Sequence, residues 1–410
     1  MAISSTLDKT AGAVLIVVLI LMPVVSHAGG LGIAPLIFIL GLMGLVLHLK
    51  SGTKKIPRSP VFWCFLIFLL WLSLTSLWSP YRPDDLLTNY IKLLIMGLVY
   101  FFSVVVFRRV AITRMVKLQR IFIITTFLSA LMVALDVVFN FKITLFFNPA
   151  STAEELASRI IDTEQNLGHA ITVLVLLSAP LVLMLKMHYQ RWKTLSALFF
   201  VMVLIASVQN HLWIGIVGTP ILILTIALAF RFPRTMPKLA VFLVIAMIIF
   251  APLLAFISSE LIKGDLSQIP GSWEHRLQMW AYCWPVIIEN PLVGTGFDAV
   301  RTFDDQWTAR NGIQISTVSL HPHNAGIHIW TEAGLVGCAL AVGVILMCNK
   351  LVDKYAQERD GAVLISGVII GALLISSFSY GAWQFWWWAS IFFAVGLIHL
   401  VPNECTNNAY

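Results

Sequence analysis

Charged side chains are scarce in this sequence. Only 11% of its 410 residues are Asp, Glu, Lys or Arg, whereas 59% are hydrophobic. Soluble domains carry about 25% charged residues, so a soluble globular protein is excluded. Because backbone groups in lipid must be hydrogen bonded within the spanning segment, helices are the expected spans. We therefore predict an all-α polytopic membrane protein.

Cysteine is scarce as well, with five residues in the chain. Cys64, Cys338 and Cys348 fall in apolar runs, Cys405 falls near the C-terminal end, and Cys283 alone falls in a long outer loop. Disulfides pair cysteines that share an oxidising compartment. This distribution excludes a disulfide framework within the chain.

The hydrophobic residues are gathered into runs long enough to cross a bilayer. A helix crossing about 30 Å of hydrocarbon needs about 20 apolar residues. Twelve spans are predicted, at residues 11–28, 31–48, 60–78, 88–107, 121–141, 167–186, 194–209, 212–230, 239–257, 324–348, 361–379 and 385–401. They predict nine spans within residues 1–257 with a smaller outer loop at 142–166, a large outer loop at 258–322, and three spans with a short tail at 323–410.

Lysine and arginine are distributed unevenly between the two sides of the membrane. With the N-terminus inside, 19 of the 27 lysines and arginines lie on the inner side. This bias predicts that both termini are cytoplasmic. It also accounts for most of the net charge of +7, so the charge is no evidence for a nucleic-acid partner. Membrane lipids are the expected surroundings.

One short segment places ionisable side chains at the start of an apolar span. In His321-Pro322-His323-Asn324, Pro322 suits the first turn of a helix. We therefore expect His323 in that turn, where the positive helix N-terminus keeps the imidazole neutral and basic. Such a histidine can take a proton from a hydroxyl group. Gly334 and Gly337 follow on the same helix, where small residues let a neighbouring helix approach.

These residues allow other interpretations. His321 and His323 together suggest a metal site, although no carboxylate lies close to them in sequence. Glu332 is expected to be a buried structural carboxylate rather than a catalytic partner. The sequence assigns no role to Lys263, Arg301 or Arg310.

The large outer loop contains an aromatic stripe. Trp273, Trp280 and Trp284 recur at helical spacing, which is typical of a helix lying at the lipid headgroups. This helix either anchors the loop or contacts a lipid substrate. Arg276, one turn before Trp280, has a guanidinium that can fork onto phosphate oxygens. The alternative for Arg276 is that it snorkels to the interface.

The smaller outer loop repeats the combination of an arginine and the start of a span. Arg159 precedes Asn166, which we expect to cap the sixth span. If Arg159 and Arg276 meet in one crevice, they form an anion site. Spacing leaves open the pairing of Arg159 with a nearby carboxylate: Glu154, Glu155 or Asp162.

The order His323-Asn324, nine residues, Gly334 and then Gly337 resembles the signature of the O-antigen ligase and polymerase superfamily. Arg276, Trp280 and the run at residues 290–296 are similar to the superfamily's usual sequence before that histidine. Arg159 with Asn166 resembles its other outer-loop arginine segment. The chain departs from the pattern near residues 209–212, where the superfamily often has a Ser-Arg pair.

The resemblance implies a glycosyltransferase with a GT-C-like fold of about twelve spans. The donor would be polysaccharide on undecaprenyl pyrophosphate and the acceptor a sugar hydroxyl of lipid A-core, at the periplasmic face of the bacterial inner membrane. It implies His323 as the base of an inverting reaction, and Arg159 and Arg276 as ligands of the pyrophosphate. Supporting roles are implied for Asn324, Gly334 and Gly337, and lesser ones for His321, Asn166 and Trp280.

The resemblance implies neither a metal nor another cofactor. Related metal-dependent GT-C enzymes carry carboxylates in the first outer loop, and residues 27–31 contain none. O-antigen polymerases and protein O-oligosaccharyltransferases share the signature and remain alternatives. The small amount of polar sequence after the last span favours a ligase over the protein-modifying members. A transporter is the alternative of a different class, and the scarcity of charges at mid-membrane disfavours it.

Overall fold

The computed structural model describes residues 2–27, 30–50, 59–82, 86–310 and 312–402. Fourteen α-helices are formed by these residues: α1 (Ala2–His27), α2 (Gly30–Lys50), α3 (Pro60–Thr75), α4 (Leu86–Val138), α5 (Lys142–Phe147), α6 (Ala153–His188), α7 (Trp192–Gln209), α8 (Trp213–Arg231), α9 (Met236–Ile249), α10 (Ala251–Leu261), α11 (Gly271–Glu289), α12 (Ala325–Tyr355), α13 (Arg359–Phe378) and α14 (Phe385–Ile398). A short hairpin of β1 (Gln306–Thr308) and β2 (Gln314–Ser316) lies between α11 and α12.

Each predicted span falls on a helix or a pair of helices. Among the described residues, eight helices are long and apolar enough to cross a membrane, or nine if α9 and α10 form one bent span. The protein is therefore an all-α polytopic membrane protein. Two of the twelve predicted spans, α3 and α14, are apolar helices of only 16 and 14 residues. At about 1.5 Å per residue they are shorter than the hydrocarbon core.

The ninth predicted span is broken rather than continuous. α9 and α10 meet at an angle of 58°. Pro252 lies at the start of α10 and has no backbone N–H, so it cannot bond the carbonyl four residues earlier. That carbonyl, Ile248 O, accepts instead from Trp330 Nε1 at 2.8 Å. The break thus attaches α9 to the outer part of α12.

α6 is the most deeply buried of the spanning helices, with 89% of its apolar window covered by other helices. Two further groups of buried side chains lie beside the main core. One joins α3, α12 and the connection between α13 and α14. The other joins α10, α11 and the start of α12. The predicted site residues of the large outer loop lie where these two groups meet.

The smaller outer loop is more helical than expected. α6 begins at Ala153, and the Thr152 hydroxyl accepts from Glu155 N at 3.1 Å as its N-terminal cap. Asn166 therefore lies inside α6, and its predicted role as a helix cap is wrong. A cap requires a position before the first helical residue, and Thr152 occupies it.

Candidate active site

The backbone before α12 is folded so that Asn324 caps the helix. Asn324 Oδ1 accepts from Ile327 N at 2.9 Å, and the helix begins at Ala325. His323 was expected in the first turn, and this is wrong. It precedes the helix with φ of 53°, a left-handed backbone conformation that residues other than glycine rarely adopt. The imidazole is therefore placed by a fixed backbone bend rather than by helical geometry.

Trp280 helps to hold this bend. Its indole Nε1 donates to Pro322 O at 2.7 Å, and its side chain is buried at 3% exposure. Packing against α10 and α12 covers the ring, so Trp280 faces the protein interior rather than lipid. Trp280 instead connects α11 to the segment that carries His323.

The C-terminal end of α13 accepts hydrogen bonds from three predicted site residues. The bonds are Asn324 Nδ2 to Ser377 O (3.1 Å), Arg276 Nε to Phe378 O (3.1 Å) and His323 Nδ1 to Ser379 O (2.5 Å). The last carbonyls of a helix have no partner within it. They also form the negative end of the helix dipole, which favours a nearby cation. These three carbonyls, the α13 carbonyls, bring side chains of α11 and of the α12 entrance to one place.

The bond to Ser379 defines the tautomer of His323. Since a carbonyl oxygen only accepts, Nδ1 carries the proton and Nε2 carries the lone pair. Burial, and then the positive charge of Arg276, lower the pKa of His323 to about 4. The ring is therefore neutral at pH 7, with Nε2 as its basic nitrogen.

Arg276 is anchored by neutral groups. Besides Phe378 O, the guanidinium donates from Nη1 to Ser272 O at 2.8 Å, and it lies over the Trp273 ring at 5.4 Å. No salt bridge within the described part of the chain involves Arg276. Burial lowers its pKa, yet an arginine stays charged near pH 7. Its position is thus fixed without neutralising its charge.

α12 is interrupted at Gly334, where φ is 63° and ψ is −163°. The turn after α11 enters this break through four backbone bonds: Thr295 N to Thr331 O (2.9 Å), Gly296 N to Glu332 O (2.9 Å), Leu335 N to Pro291 O (2.9 Å) and Val336 N to Leu292 O (3.1 Å). A Cβ at Gly334 would lie 2.5 Å from the backbone of Leu292. Gly334 is therefore a backbone junction, and its expected place on one helical face with His323 is wrong.

Gly337 lies one turn beyond the break. A Cβ there would come within 2.3 Å of Ala333 Cβ and 3.4 Å of Trp71 Nε1. The close packing expected at this position is present, and α3 is the neighbouring helix. Trp71 Nε1 also donates to Ala333 O at 3.2 Å, so α3 supports the interrupted segment directly.

Glu332 connects the same turn to the segment after α13. Its side chain, 1% exposed, accepts from Asp298 N at 2.9 Å, Val300 N at 3.0 Å and Trp383 Nε1 at 2.5 Å. The expected structural role of Glu332 is consistent with these bonds, because each one fixes a backbone or ring beside the site.

His321 packs against His323 with ring centroids 4.3 Å apart. Its Nδ1 accepts from His323 N at 3.3 Å, and its Nε2 lies 3.0 Å from the Gln384 amide. Burial, followed by the charges of nearby histidines and arginines, lowers the pKa of His321 well below its ordinary value. Within the described residues, no group of three or more His, Cys, Asp or Glu side chains surrounds this pair.

The family profile for O-antigen ligase matches residues 195–342, which run from α7 into α12. The matched segment contains Arg276, His323, Asn324, Gly334 and Gly337. Residues 195–342 therefore correspond to an O-antigen ligase domain. The resemblance found in its motif is thereby confirmed.

Several proteins similar to this chain are named as polysaccharide ligases. A Rickettsia conorii protein is 26% identical over 198 residues, which cover 48% of this chain and 47% of that protein. Proteins of Rickettsia typhi and Rickettsia prowazekii are each 31% identical over 116 residues, 28% of both chains. The chain thus matches about half or less of the length of these relatives.

The O-antigen ligase domain does not contain all of the groups that build the site. It ends within α12, so the α13 carbonyls lie beyond it. Sequence reasoning missed these carbonyls, because a backbone oxygen leaves no residue signature. The sequence feature that could have indicated them is the serine-rich segment Ser376-Ser377-Phe378-Ser379, which ends an otherwise apolar span.

Arg159 also lies outside the O-antigen ligase domain. It forms a salt bridge with Glu155 and a hydrogen bond with Asn148. None of its described contacts is with Arg276 or His323. The meeting of two arginines therefore stays a prediction, and the carboxylate pairing that spacing left open is present.

α6 nevertheless reaches the site further along its length. The Thr172 hydroxyl lies 3.3 Å from the Tyr380 hydroxyl, and the His169 ring lies 5.3 Å from the Tyr380 ring. Tyr380 directly follows the last of the α13 carbonyls. At about 1.5 Å per residue, Arg159 is displaced from His169 by about 15 Å along the helix.

Two cations without a predicted role have structural partners. Arg310 forms a salt bridge from Nε to Glu274 Oε2 at 2.6 Å and donates to Ser267 O at 3.0 Å, which ties the hairpin to α11. Lys263 pairs with Glu260 at 2.6 Å and is 66% exposed. Neither is placed near His323 by these contacts.

Proposed function

We propose that this protein is an O-antigen ligase that transfers polysaccharide from undecaprenyl pyrophosphate to a sugar hydroxyl of lipid A-core. The O-antigen ligase domain and the polysaccharide-ligase names of its relatives support the class of reaction. The observation that carries the proposal is the attachment of His323 and Arg276 to neighbouring carbonyls of α13. A neutral base and an uncompensated cation are thereby held side by side.

His323 is the base in this reaction. The acceptor hydroxyl attacks the anomeric carbon of the donor sugar, and its proton passes to Nε2. The new bond joins the acceptor oxygen to the anomeric carbon, while the bond from that carbon to the pyrophosphate oxygen breaks. The electron pair stays on the pyrophosphate, which leaves as undecaprenyl pyrophosphate. Attack opposite the leaving group inverts the configuration at the anomeric carbon.

Arg276 stabilises the charge that the pyrophosphate gains. Its guanidinium is already oriented by Phe378 O and Ser272 O, so little reorganisation is needed when the bond breaks. Arg159 is proposed as a second pyrophosphate ligand. Its pair with Glu155 is partly exposed, and such pairs contribute only about 0.2–1 kcal/mol, so an anion can displace Glu155. The guanidinium groups supply the positive charge in this scheme, which invokes no metal.

The distribution of basic residues supports a periplasmic position for this site. The lysine- and arginine-rich loops are expected on the cytoplasmic side, and the segment from α11 to the start of α12 belongs to the opposite side. The proposal therefore assigns the enzyme to the inner membrane, with its reaction centre at the outer surface where lipid-linked donor and acceptor meet.

The experiment is complementation of a ligase-deficient strain, read out as lipopolysaccharide banding on a gel. His323→Asn is the test variant, because asparagine tolerates a left-handed backbone and removes only the imidazole. His211→Asn is the matched control, since His211 has φ of 49° and is exposed. We expect banding with the wild type and the control, and none with His323→Asn.

Two results would contradict the proposal. Banding that persists in His323→Asn removes the base from the mechanism. A wild-type chain that changes only the length of attached polysaccharide, while single repeats are attached without it, is a polymerase.

A further inference from the structure

A cavity lies beside the candidate active site. It has a volume of about 340 Å³ and is bounded by α2, α4, the turn after α11 and the connection between α13 and α14. His321 is one of the residues that line it. The His323 ring packs against the His321 ring, with ring centroids 4.3 Å apart. The cavity is within the size range of small-ligand sites, about 300–1,000 Å³.

Two cations line this cavity. Lys92 Nζ lies 5.3 Å above the Phe385 ring, and no salt bridge in the described part of the chain includes it. Arg301 Nε lies 3.1 Å from Asp298 Oδ1 and its side chain is 40% exposed. Asp298 also lines the cavity, so two cations face one carboxylate there and one positive charge is in excess. The cavity therefore attracts an anion.

The remaining lining suits a ligand with hydroxyl groups and carbon-hydrogen faces. Gln384 has one end of its amide 3.0 Å from His321 Nε2, and the other end is buried without a hydrogen-bond partner. Buried polar atoms in proteins are nearly always satisfied, so such an atom indicates a bound molecule or water. Phe297, Trp383 and Trp386 provide aromatic walls. Apolar walls with a few placed polar groups are typical of a binding site.

We propose that this cavity binds the acceptor, with Lys92 and Arg301 holding a phosphate or carboxylate on its sugar and Gln384 bonding a sugar hydroxyl. This inference rests on the proposed function. In an inverting displacement the acceptor and the leaving group lie on opposite sides of the anomeric carbon. Arg276, the ligand of the leaving group, does not line the cavity. His321 lines the cavity, whereas His323 is bonded, like Arg276, to the end of α13, so the two imidazoles connect the proposed acceptor site to the proposed leaving-group site.

The test is direct binding of a soluble acceptor fragment to the full-length protein in nanodiscs. The probes are deacylated lipopolysaccharide core oligosaccharide with its phosphates, and the same oligosaccharide after the phosphates have been removed. One charge-assisted contact corresponds to roughly tenfold in affinity. We expect the phosphorylated probe to bind at least about tenfold more tightly to the wild type.

Lys92→Gln and Arg301→Gln each remove one cation while keeping a polar side chain. We expect each variant to lose most of the preference for the phosphorylated probe, and Lys263→Gln to retain it, because Lys263 lies on the surface with Glu260. Thermal unfolding identifies any variant that fails to fold, and Lys92→Arg then tests the same charge. An unchanged preference in folded Lys92→Gln and Arg301→Gln overturns the proposal.

Failure of this inference can be told apart from failure of the proposed function. His323→Asn should bind both probes like the wild type while transferring nothing. If transfer survives in His323→Asn, the catalytic proposal fails, whatever the probes show. Nanodiscs of phosphatidylglycerol and of phosphatidylcholine separate a sugar phosphate from a lipid headgroup. Loss of oligosaccharide binding in phosphatidylglycerol alone assigns the cavity to lipid and contradicts an acceptor site.

Discussion

Arg276 and Arg159 were predicted from similar sequence patterns, yet they lie in different environments. Arg276 is oriented by backbone carbonyls and an aromatic ring. Arg159 is oriented by the carboxylate of Glu155 and by Asn148. The carbonyls at the end of a helix direct a guanidinium without cancelling its charge, whereas a carboxylate does both. Under the proposed function, Arg276 can bind an anion directly, whereas Arg159 must first exchange its partner.

The largest expected effect comes from Gly334→Ala, because Gly334 packs against the turn after α11, the helix that carries Arg276. The new methyl group would lie 2.5 Å from the Leu292 backbone at a positive φ. Overpacking and backbone strain together predict a loss of about 3 kcal/mol and no detectable transfer. Gly343→Ala on the same helix meets nothing within 4 Å and should fold normally. Thermal unfolding and transfer assays are carried out on both variants. Equal stability of the two would contradict the role of Gly334 as a backbone junction.

Lysine substitutions compare the two arginines directly. Arg276→Lys keeps the charge but loses the fork and one of the carbonyl bonds, so transfer should fall by about 10²–10³-fold. Arg159→Lys should fall by less than about tenfold, because its present partner contributes little. Initial transfer rates in proteoliposomes provide the measurement. Similar losses in both variants would show that the two arginines are equivalent.

Replacing one asparagine near each arginine with alanine compares the same two regions. Asn324→Ala removes a helix cap and leaves Ser377 O without its donor, which predicts a loss of about 2 kcal/mol. Asn166→Ala should stay within about 0.5 kcal/mol, as expected for a residue away from such features. Denaturation in one detergent measures both variants. If Asn166→Ala lost as much stability as Asn324→Ala, Asn166 would have to act as a helix cap after all.

The smallest effect is the influence of Arg276 on the titration of His323. The pKa of His323, about 4, lies below its ordinary value of 6.5. Between these values the unfolded chain binds a proton that the folded chain does not, so stability falls as the pH decreases from 6.5 towards 4. Burial is the main cause and stays in Arg276→Gln, so we expect the pKa to rise but to remain below 6.5. NMR titration of labelled histidine measures the pKa of His323 in the variant and in the wild type. A lower pKa in Arg276→Gln would contradict the expected effect of the Arg276 charge.

Hydropathy predicted the positions of the helices because apolar backbone in a bilayer has few alternatives to a helix. All twelve predicted runs fall on helical segments. Hydropathy did not predict where a helix breaks, because the break depends on a hydrogen bond. Pro252 has no N–H to donate to Ile248 O, and Trp330 Nε1 donates to that oxygen instead. The shorter lengths of α3 and α14 also depend on turns that the apolar pattern does not show.

The site was predictable where side chains carry the chemistry. His323, Asn324 and Arg276 were found from residue types and spacing, and the structure attaches all three to α13. The attachment itself involves backbone oxygens, which any sequence would supply. Gly334 was interpreted as a small packing residue, because spacing alone does not distinguish a packing glycine from one with a positive φ.

The interruption of α12 at Gly334 separates the part of the helix beside the candidate site from the rest of its length. The nine residues from Ala325 to Ala333 are joined across the break to the 290–296 turn instead of continuing as one rod. When the inner portion tilts to match a thicker or thinner bilayer, the outer portion follows the loop to which it is bonded. We therefore expect the relative positions of His323 and Arg276 to be insensitive to the lipid composition around the protein.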